Sequence, residues 1–240
     1  MSAKPRGKTM VKRHIKRLAA PKSWSMLRKS NIFASRPLSN TSMALSMPLG
    51  MILRDVLGVA ETMHEVKNIL QHKKVLIDGI RRTDHKFGVG LMDVLSLADI
   101  GKHYRMLLNP RGKLVMHEIA DSEAKLKPCK IIGKRIIPGA QLQISLHDGR
   151  NLLMPASTPY KVGDTIMLNI PEQSVQEHFK LEKGCFIFLT AGSHIGSAGV
   201  VEAVKEKLLV VASKDEKFET STKGAFAIGK QVPKITLLRT

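Results

Sequence analysis

The residues of this chain best suited to chemistry are lysines and arginines near its amino end, and the chemistry that they suit is polyanion binding. Twelve of them precede Asp55, the first acidic residue, with Pro, Gly and Ser scattered among them. The whole chain has a net charge of +19, so this stretch carries most of the excess and the rest is only mildly basic. A solvated face usually mixes both signs, whereas such a one-sided stretch predicts binding to RNA phosphates.

The elements that must position these cations begin with the stretch itself, for which we predict a basic, extended arm over residues 1–42. It has too little apolar surface to offset its chain entropy, so it is expected to order only on RNA. The predicted phosphate ligands are Lys12, Arg13, Lys16, Arg17 and Lys22. Trp24 is expected to bury against sugar or base faces, and the alternative is that it caps a domain core.

Phosphate neutralisation has a measurable signature in the salt dependence of binding. If about six cations each neutralise one phosphate, the log-log salt slope should be roughly −4 to −5. We expect deletion of residues 1–40 to flatten this slope far more than it destabilises the remaining domains.

Composition excludes several other classes of protein. Aromatic residues make up only 4% of the chain, which argues against stacking platforms for single strands and favours recognition of folded RNA by shape. No apolar run approaches the length of a membrane span, and the amino end lacks the apolar core of a secretory signal. An organelle transit peptide fits poorly because the segment is neither amphipathic nor rich in Ser. These features predict a cytoplasmic protein with no membrane partner.

The sequence also lacks a catalytic or metal-binding pattern. Cys129 and Cys185 stand far apart without a second ligand at metal spacing, so we expect both to be packing residues. Among recognisable catalytic motifs we find neither a nucleophile elbow nor a phosphate-binding glycine loop. The sequence His147-Asp148-Gly149-Arg150 resembles an acid/base pair but is far more typical of a turn. We therefore predict no enzyme activity, no cofactor, no metal and no small-molecule substrate.

Two short helices and a hairpin are predicted after the basic stretch. Apolar residues recur with helical spacing from Leu49 to Leu57, and Gly58 supplies a stop. Thr62 and Glu65 form a capping box that begins a second helix. Asp78-Gly79 then joins two apolar runs, which is a strong hairpin signal.

The hairpin is rich in cations, and these form the second candidate RNA-binding site. A rim of basic side chains around this turn could bind phosphate, and the alternative is a hairpin with ordinary surface charges. The rim consists of Lys73, Lys74, Arg81, Arg82 and Lys86.

The remainder of the chain reads as short strands separated by turn residues. Runs between residues 101 and 174 favour a small β-barrel-like domain. After Cys185 the glycines Gly192, Gly196 and Gly199 lie between two apolar runs, where glycine lets the backbone approach a neighbour or a phosphate. This last pattern resembles the KOW motif of SH3-like barrels, for which the alternative is a glycine-rich hairpin without RNA contacts.

Resemblance to known families covers almost the whole chain. The helices and hairpin over about residues 47–98 resemble the αL-type RNA-binding module. The stretch His14-Ile15-Lys16-Arg17-Leu18-Ala19-Ala20-Pro21-Lys22-Ser23-Trp24 resembles the opening of the archaeal and eukaryotic small-subunit ribosomal protein family S4e. Further stretches, such as Phe226-Ala227-Ile228-Gly229, are similar to the same family, and the modest length looks more archaeal.

This resemblance implies an α+β, multi-domain protein and a structural role in the small ribosomal subunit. The implied domains are the basic N-terminal extension at 1–42, an αL-type domain at 43–100, a central β domain at 101–174 and a KOW SH3-like domain at 175–240. The implied partners are small-subunit ribosomal RNA and neighbouring ribosomal proteins. The rival interpretations are an RNA-modifying enzyme, such as a pseudouridine synthase, and a KOW-type transcription factor.

Overall fold

The computed structural model describes most of the chain as a mixed α and β protein with many strands and few helices. The described residues are 14–38, 41–139, 141–156, 158–205, 208–213 and 217–238. Lys12 and Arg13, predicted as phosphate ligands, lie outside them. Within this part of the chain, every helix is too short or too polar to span a membrane.

The N-terminal segment, residues 14–38, packs onto the body of the protein. Strands β1 (Ile15–Lys16) and β2 (Phe33–Ala34) pair antiparallel, and a 3-10 helix at Arg17–Ala19 follows β1 directly. Trp24 is fully buried, and its indole N–H donates to the carbonyl of Ser46 at 2.8 Å. The expectation of an arm that orders only on RNA is therefore wrong for these residues, because a buried indole ties them to the core.

The predicted helices are present, with one irregularity. Strand β3 (Ser46–Pro48) leads into helix α1 (Leu49–Met51), which continues as a π-helical turn over Ile52–Val56. Helix α2 (Met63–His72) begins at the predicted capping box. There the Thr62 hydroxyl oxygen accepts from the Glu65 amide at 3.2 Å. Leu49, Ile52 and Leu53 of the predicted apolar face are fully buried.

The predicted hairpin forms one edge of a five-stranded sheet. The sheet has the order β5-β4-β7-β8-β9, and its neighbouring strands pair antiparallel. Its strands are β4 (Val75–Ile77), β5 (Ile80–Arg81), β7 (Val94–Leu97), β8 (Lys102–Leu108) and β9 (Leu114–Ile119), while β6 (Gly88–Gly90) pairs with β3. The sheet continues across the domain boundary expected after residue 100, because β7 and β8 are hydrogen-bonded to each other. That boundary stays a prediction.

The central sheet follows a short helix, α3 (Asp121–Ala124). It has the order β12-β11-β10-β13-β14 and a hydrophobic core of its own, which includes Cys129. Its strands are β10 (Leu126–Ile137), β11 (Gln141–Leu146), β12 (Asn151–Pro155), β13 (Thr165–Asn169) and β14 (Ser174–Phe179). The boundary expected after residue 174 falls inside β14, which pairs with β13 and therefore belongs to this sheet.

The C-terminal sheet has the order β18-β17-β16-β15-β19, so the last strand returns to pair with the first. Its strands are β15 (Cys185–Leu189), β16 (Ala198–Val204), β17 (Leu208–Ala212), β18 (Lys217–Ser221) and β19 (Ala225–Lys230). Its buried side chains, Cys185 among them, join those of the first sheet and of Trp24 in one core. Both cysteines are buried, which confirms their expected packing role.

Buried cations fasten the sheets to one another. The Lys130 ammonium of the central sheet donates to the carbonyls of Thr222, Lys223 and Ala225 in the C-terminal sheet. Burial lowers the pKa of Lys130 to about 8. In the first sheet, Arg105 is fully buried and donates to the carbonyl of Leu126 at 2.7 Å. These contacts join neighbouring sheets through side-chain hydrogen bonds to backbone carbonyls.

Candidate nucleic-acid interface

A cleft of about 890 Å³ lies between the N-terminal segment, the hairpin and the central sheet. We call it the cationic cleft. Its lining residues come from widely separated stretches of sequence. They are Arg36, Pro37, Leu38, Thr41, Ile77, Asp78, Arg82, Lys86, Phe87, Gly88, Asp93, Lys127, Asp148, Gly149 and Arg150.

The hairpin turn places Asp78 at the floor of the cationic cleft. Asp78 and Gly79 have φ angles of +51° and +75°, the left-handed conformation that this two-residue turn requires. The carboxylate of Asp78 then turns inward, where its Oδ1 accepts from the amide of Val94 at 3.0 Å. The turn that the sequence predicted thus also carries a buried acid.

The floor itself is a buried cluster of opposite charges centred on one ammonium. Lys127 Nζ lies 2.6 Å from an oxygen of Asp78, 2.6 Å from one of Asp93 and 3.0 Å from one of Asp148. Burial alone would lower the pKa of Lys127, but the carboxylates outweigh it and hold that pKa well above its usual value. The cluster joins the hairpin, β7 and the central sheet through charges that water barely reaches.

Arg150 completes the floor from the turn after β11. Its Nη2 lies 2.5 Å from Asp78 and its Nε lies 3.3 Å from Asp148. Burial raises the pKa of the Asp148 carboxyl, yet Lys127, His147 and Arg150 together lower it to about 2. Each acid on the floor therefore has a cationic partner, although the three carboxylates outnumber Lys127 and Arg150 by one.

The rim of the cationic cleft carries cations that are not paired in this way. The Arg82 guanidinium lies over the Phe87 ring, with its carbon 4.3 Å from the ring centroid. Lys86 is exposed. Neither side chain has an acidic partner among the described residues. The rim therefore presents positive charge to whatever enters.

The other predicted cations of the hairpin are placed differently. Lys73 is exposed and lies 3.7 Å from Asp99. Arg81 donates to the carbonyl of Gln71 at 2.7 Å, at the end of α2, and Lys74 is exposed. The structure thus divides the predicted rim into two residues that line the cationic cleft and three that do not.

The predicted cations of the N-terminal segment also divide. Lys16 and Lys22 are exposed, as expected for phosphate ligands. Arg17 is only 3% exposed, and its guanidinium donates to the Leu27 carbonyl and the Ser30 hydroxyl and pairs with Asp55. The assignment of Arg17 as a phosphate ligand is wrong because the side chain is buried and both of its terminal nitrogens are bonded to protein groups.

The assignment of Trp24 as a contact for sugar or base faces is wrong for a related reason. The ring has no exposed surface and its N–H is satisfied by backbone carbonyls. Of the two roles considered for it, the structure supports the core cap. Deletion to residue 40 would consequently remove part of the core, so we expect it to destabilise the remaining domains as well as to change the salt slope.

The glycines of the C-terminal sheet approach protein rather than open space. A Cβ on Gly196 would lie 2.3 Å from the Asn109 carbonyl oxygen, and one on Gly199 would lie 2.5 Å from that of Ala212. Both glycines are buried, so their assignment as RNA contacts is wrong. Gly192 is exposed with a φ of +96°, and its assignment remains a prediction.

Among the described residues, Cys129, His147 and Asp148 form one cluster whose side chains could hold a metal ion. Burial raises the pKa of the Cys129 thiol well above its usual range and lowers that of His147 to about 4. His147 is also engaged at both ring nitrogens, with the amide of Lys130 and the carbonyl of Leu91. A protonated thiol and a fully bonded imidazole make a poor metal site, so the cluster is a packing feature of the floor.

Sequence reasoning missed the floor. Its members lie as far apart as Asp78 and Arg150, and no local motif joins them. One signal was available, because Lys127 shares an alternating strand face with Cys129 and Ile131, which are both buried. A lysine on an apolar strand face indicates a buried ion pair.

Comparison with known proteins covers the same regions. Residues 100–175 match the model described as Ribosomal family S4e, residues 10–39 match the RS4NT (NUC023) domain and residues 47–95 match the S4 domain. The chain is 35% identical to small ribosomal subunit protein eS4 of Methanococcus aeolicus, over 94% of this chain and 98% of that protein. It is 38% identical to the protein of the same name from Methanocaldococcus jannaschii, with the same coverage.

A solved structure agrees with these matches. The crystal structure of the 30S ribosomal protein S4e from Thermoplasma acidophilum is similar with a TM-score of 0.69 and 31% sequence identity. The similarity covers 78% of this chain and 96% of that one. By similarity over nearly its full length, the chain belongs to the small ribosomal subunit protein eS4 family.

Proposed function

We propose that this protein is a structural constituent of the small ribosomal subunit and that it binds and stabilises folded ribosomal RNA during translation. The observation that carries the proposal is the near-complete overlap with relatives named small ribosomal subunit protein eS4. It implies that the protein works in the cytoplasm, with small-subunit ribosomal RNA and neighbouring ribosomal proteins as partners.

The arrangement of charge supports this role. Lys16, Lys22, Lys74 and Lys86 are exposed, and the cationic cleft adds Arg82 on its rim. Such dispersed cations suit the irregular phosphate surface of a folded RNA, which is bound mainly through shape and backbone contacts. The scarcity of aromatic residues fits the same mode of binding.

Two finer assignments belong to the proposal. The S4 domain match over residues 47–95 supports an αL-type RNA-binding module made of α1, α2 and the hairpin. The return of β19 to pair with β15 supports an SH3-like KOW barrel at the carboxyl end. Each module would dock on RNA through its own exposed cations.

We further propose that the protein is not an enzyme. The cluster most like a catalytic site, around His147 and Asp148, has its polar atoms bonded to protein and lies on a floor of paired charges. Those bonds leave His147 unable to exchange a proton with a substrate. An assay for uridine isomerisation on small-subunit RNA tests this, and turnover would overturn it.

Sedimentation of a lysate that contains the tagged chain tests the main proposal. The chain should travel with small subunits at low salt and leave them as salt rises, because phosphate contacts weaken with ionic strength. Migration with RNA polymerase, or with neither particle, would contradict the proposal. A variant that lacks residues 1–13 keeps Trp24 and Arg17 in place. Because it removes five cations, its log-log salt slope should be shallower, by about 0.8 for each of these cations that contacts a phosphate.

A further inference from the structure

We infer that a segment of RNA backbone enters the cationic cleft and that Arg82, Lys86 and Arg150 bind its phosphates. This inference rests on the proposed function and assigns it a surface that crosses a domain boundary. The hairpin contributes Arg82 and the loop after it contributes Lys86, whereas Arg150 comes from the central sheet. RNA bound here would hold the two sheets in one arrangement.

The shape of the cationic cleft fits a strand of nucleic acid. Its volume of about 890 Å³ is of the size that holds a ligand rather than a few waters. Leu38 and Phe87 lie on its walls, so apolar surface is available to a sugar or a base beside the phosphate ligands. The N-terminal segment forms the opposite wall, so a bound strand would contact three parts of the protein.

The charges of the cationic cleft favour an anion. Asp78, Asp93 and Asp148 are each held by Lys127, and Arg150 adds a second partner for two of them. The floor has one more acid than cations, but the whole lining carries five cationic and three acidic side chains, so the cationic cleft has a formal charge of +2. An exposed acidic floor would have argued for a metal ion instead.

Two arginines hold donors that the described protein does not use. Arg82 Nε is buried and has no hydrogen-bond partner among the described residues. Arg150 bonds through Nη2 and Nε, and its Nη1 has no partner in the same part of the chain. A guanidinium fork binds phosphate with two parallel hydrogen bonds. Arg82 could supply them through its two terminal nitrogens, although not through its buried Nε, and Arg150 could add one hydrogen bond from Nη1.

Paired substitutions in the full chain test the inference. The variant Arg82→Gln with Lys86→Gln removes two rim charges, and Lys180→Gln with Lys183→Gln removes two exposed charges far along the sequence. Affinity for small-subunit ribosomal RNA is measured from low to high salt. We expect the rim variant to bind about 10-fold more weakly and its salt slope to be shallower by about 1.5, at 0.7 to 0.9 per phosphate. The matched variant should change both quantities less.

The conservative variant Arg82→Lys with Lys86→Arg guards against a folding defect. It keeps both charges and should keep the wild-type slope, while thermal unfolding reports whether each variant is intact. An intact rim variant with wild-type affinity and slope would overturn the inference, and an acidic protein segment would then be the better occupant. A wild-type chain that binds no ribosomal RNA would overturn the proposed function as well.

A cross-linking experiment places the RNA directly. Cys129 and Cys185 are the only cysteines in the sequence and both are buried, so Leu38→Cys introduces one exposed thiol on the wall of the cationic cleft. With a short photo-reactive group attached there, we expect cross-links to small-subunit RNA that the rim variant loses. Wild-type protein treated in the same way is the control. Absence of cross-links from an RNA-bound Leu38→Cys chain would contradict the inference.

Discussion

The N-terminal segment and the rim of the cationic cleft are both rich in cations, but two arginines of the segment face the protein interior whereas the rim cations face the cleft. In the segment, Arg17 and Arg28 point inward and donate to backbone carbonyls. On the rim, Arg82 and Lys86 have no acidic partner among the described residues. A count of positive charge therefore does not identify RNA ligands, because a cation can be required by the fold instead.

The largest expected effect comes from the most deeply buried cation. Lys127→Met should lower the free energy of unfolding by about 3 to 5 kcal/mol, because it leaves buried carboxylates without their central partner. Urea unfolding measures this. Lys217→Met is the control, since Lys217 is exposed and its pair with Glu202 lies at the surface, where it contributes little. A loss below about 1 kcal/mol would show that the floor does not fasten the sheets.

A pH effect of about 3 kcal/mol is expected from His147, next to the same floor. Its folded pKa of about 4 lies below the unfolded value of about 6.5, and each unit corresponds to about 1.4 kcal/mol. The folded protein therefore gains no proton between these values while the unfolded chain does. This contribution to the free energy of unfolding should be complete above about pH 7 and should decrease as the pH drops below 6.5. It should be lost near pH 4.

Unfolding measured from pH 7.5 to pH 4 tests this, and His147→Gln should flatten the dependence. The exposed His64→Gln is the control and should keep the wild-type dependence. An unchanged profile for His147→Gln would mean that the burial of this ring does not couple folding to protons.

Substitutions of the adjacent residues Lys16 and Arg17 test whether an exposed cation binds RNA while an inward-facing cation stabilises the fold. Arg17→Met should lower the free energy of unfolding by about 2 kcal/mol, because the hydrogen bonds of Arg17 are lost. Asp55 would still be paired with Arg54. Lys16→Met should leave stability nearly unchanged but make the salt slope of RNA binding shallower by about 0.8. If both variants shift the salt slope equally, Arg17 leaves the core when RNA binds.

What the sequence could predict follows from the range of each interaction. The helix from Leu49, the capping box at Thr62 and the Asp78-Gly79 turn depend on neighbours a few residues apart, so they were found. The pairing of β7 with β8 was missed because the sequence of an apolar strand does not indicate which strand it pairs with. Lys127 and Arg17 were missed as buried cations for a similar reason, since their acids lie dozens of residues away.

The smallest expected effect belongs to Lys73, which combines the exposure of a rim cation with an acidic neighbour. It is exposed like a rim cation, yet Asp99 lies 3.7 Å from its ammonium. Lys73→Gln should change the free energy of unfolding by less than about 0.5 kcal/mol, because exposed pairs contribute little. Its effect on the salt slope should be smaller than that of Lys86→Gln, since Asp99 offsets the charge that Lys73 presents to RNA. An equal effect of the two substitutions would show that RNA displaces the aspartate, and exposure rather than pairing would then define the ligands.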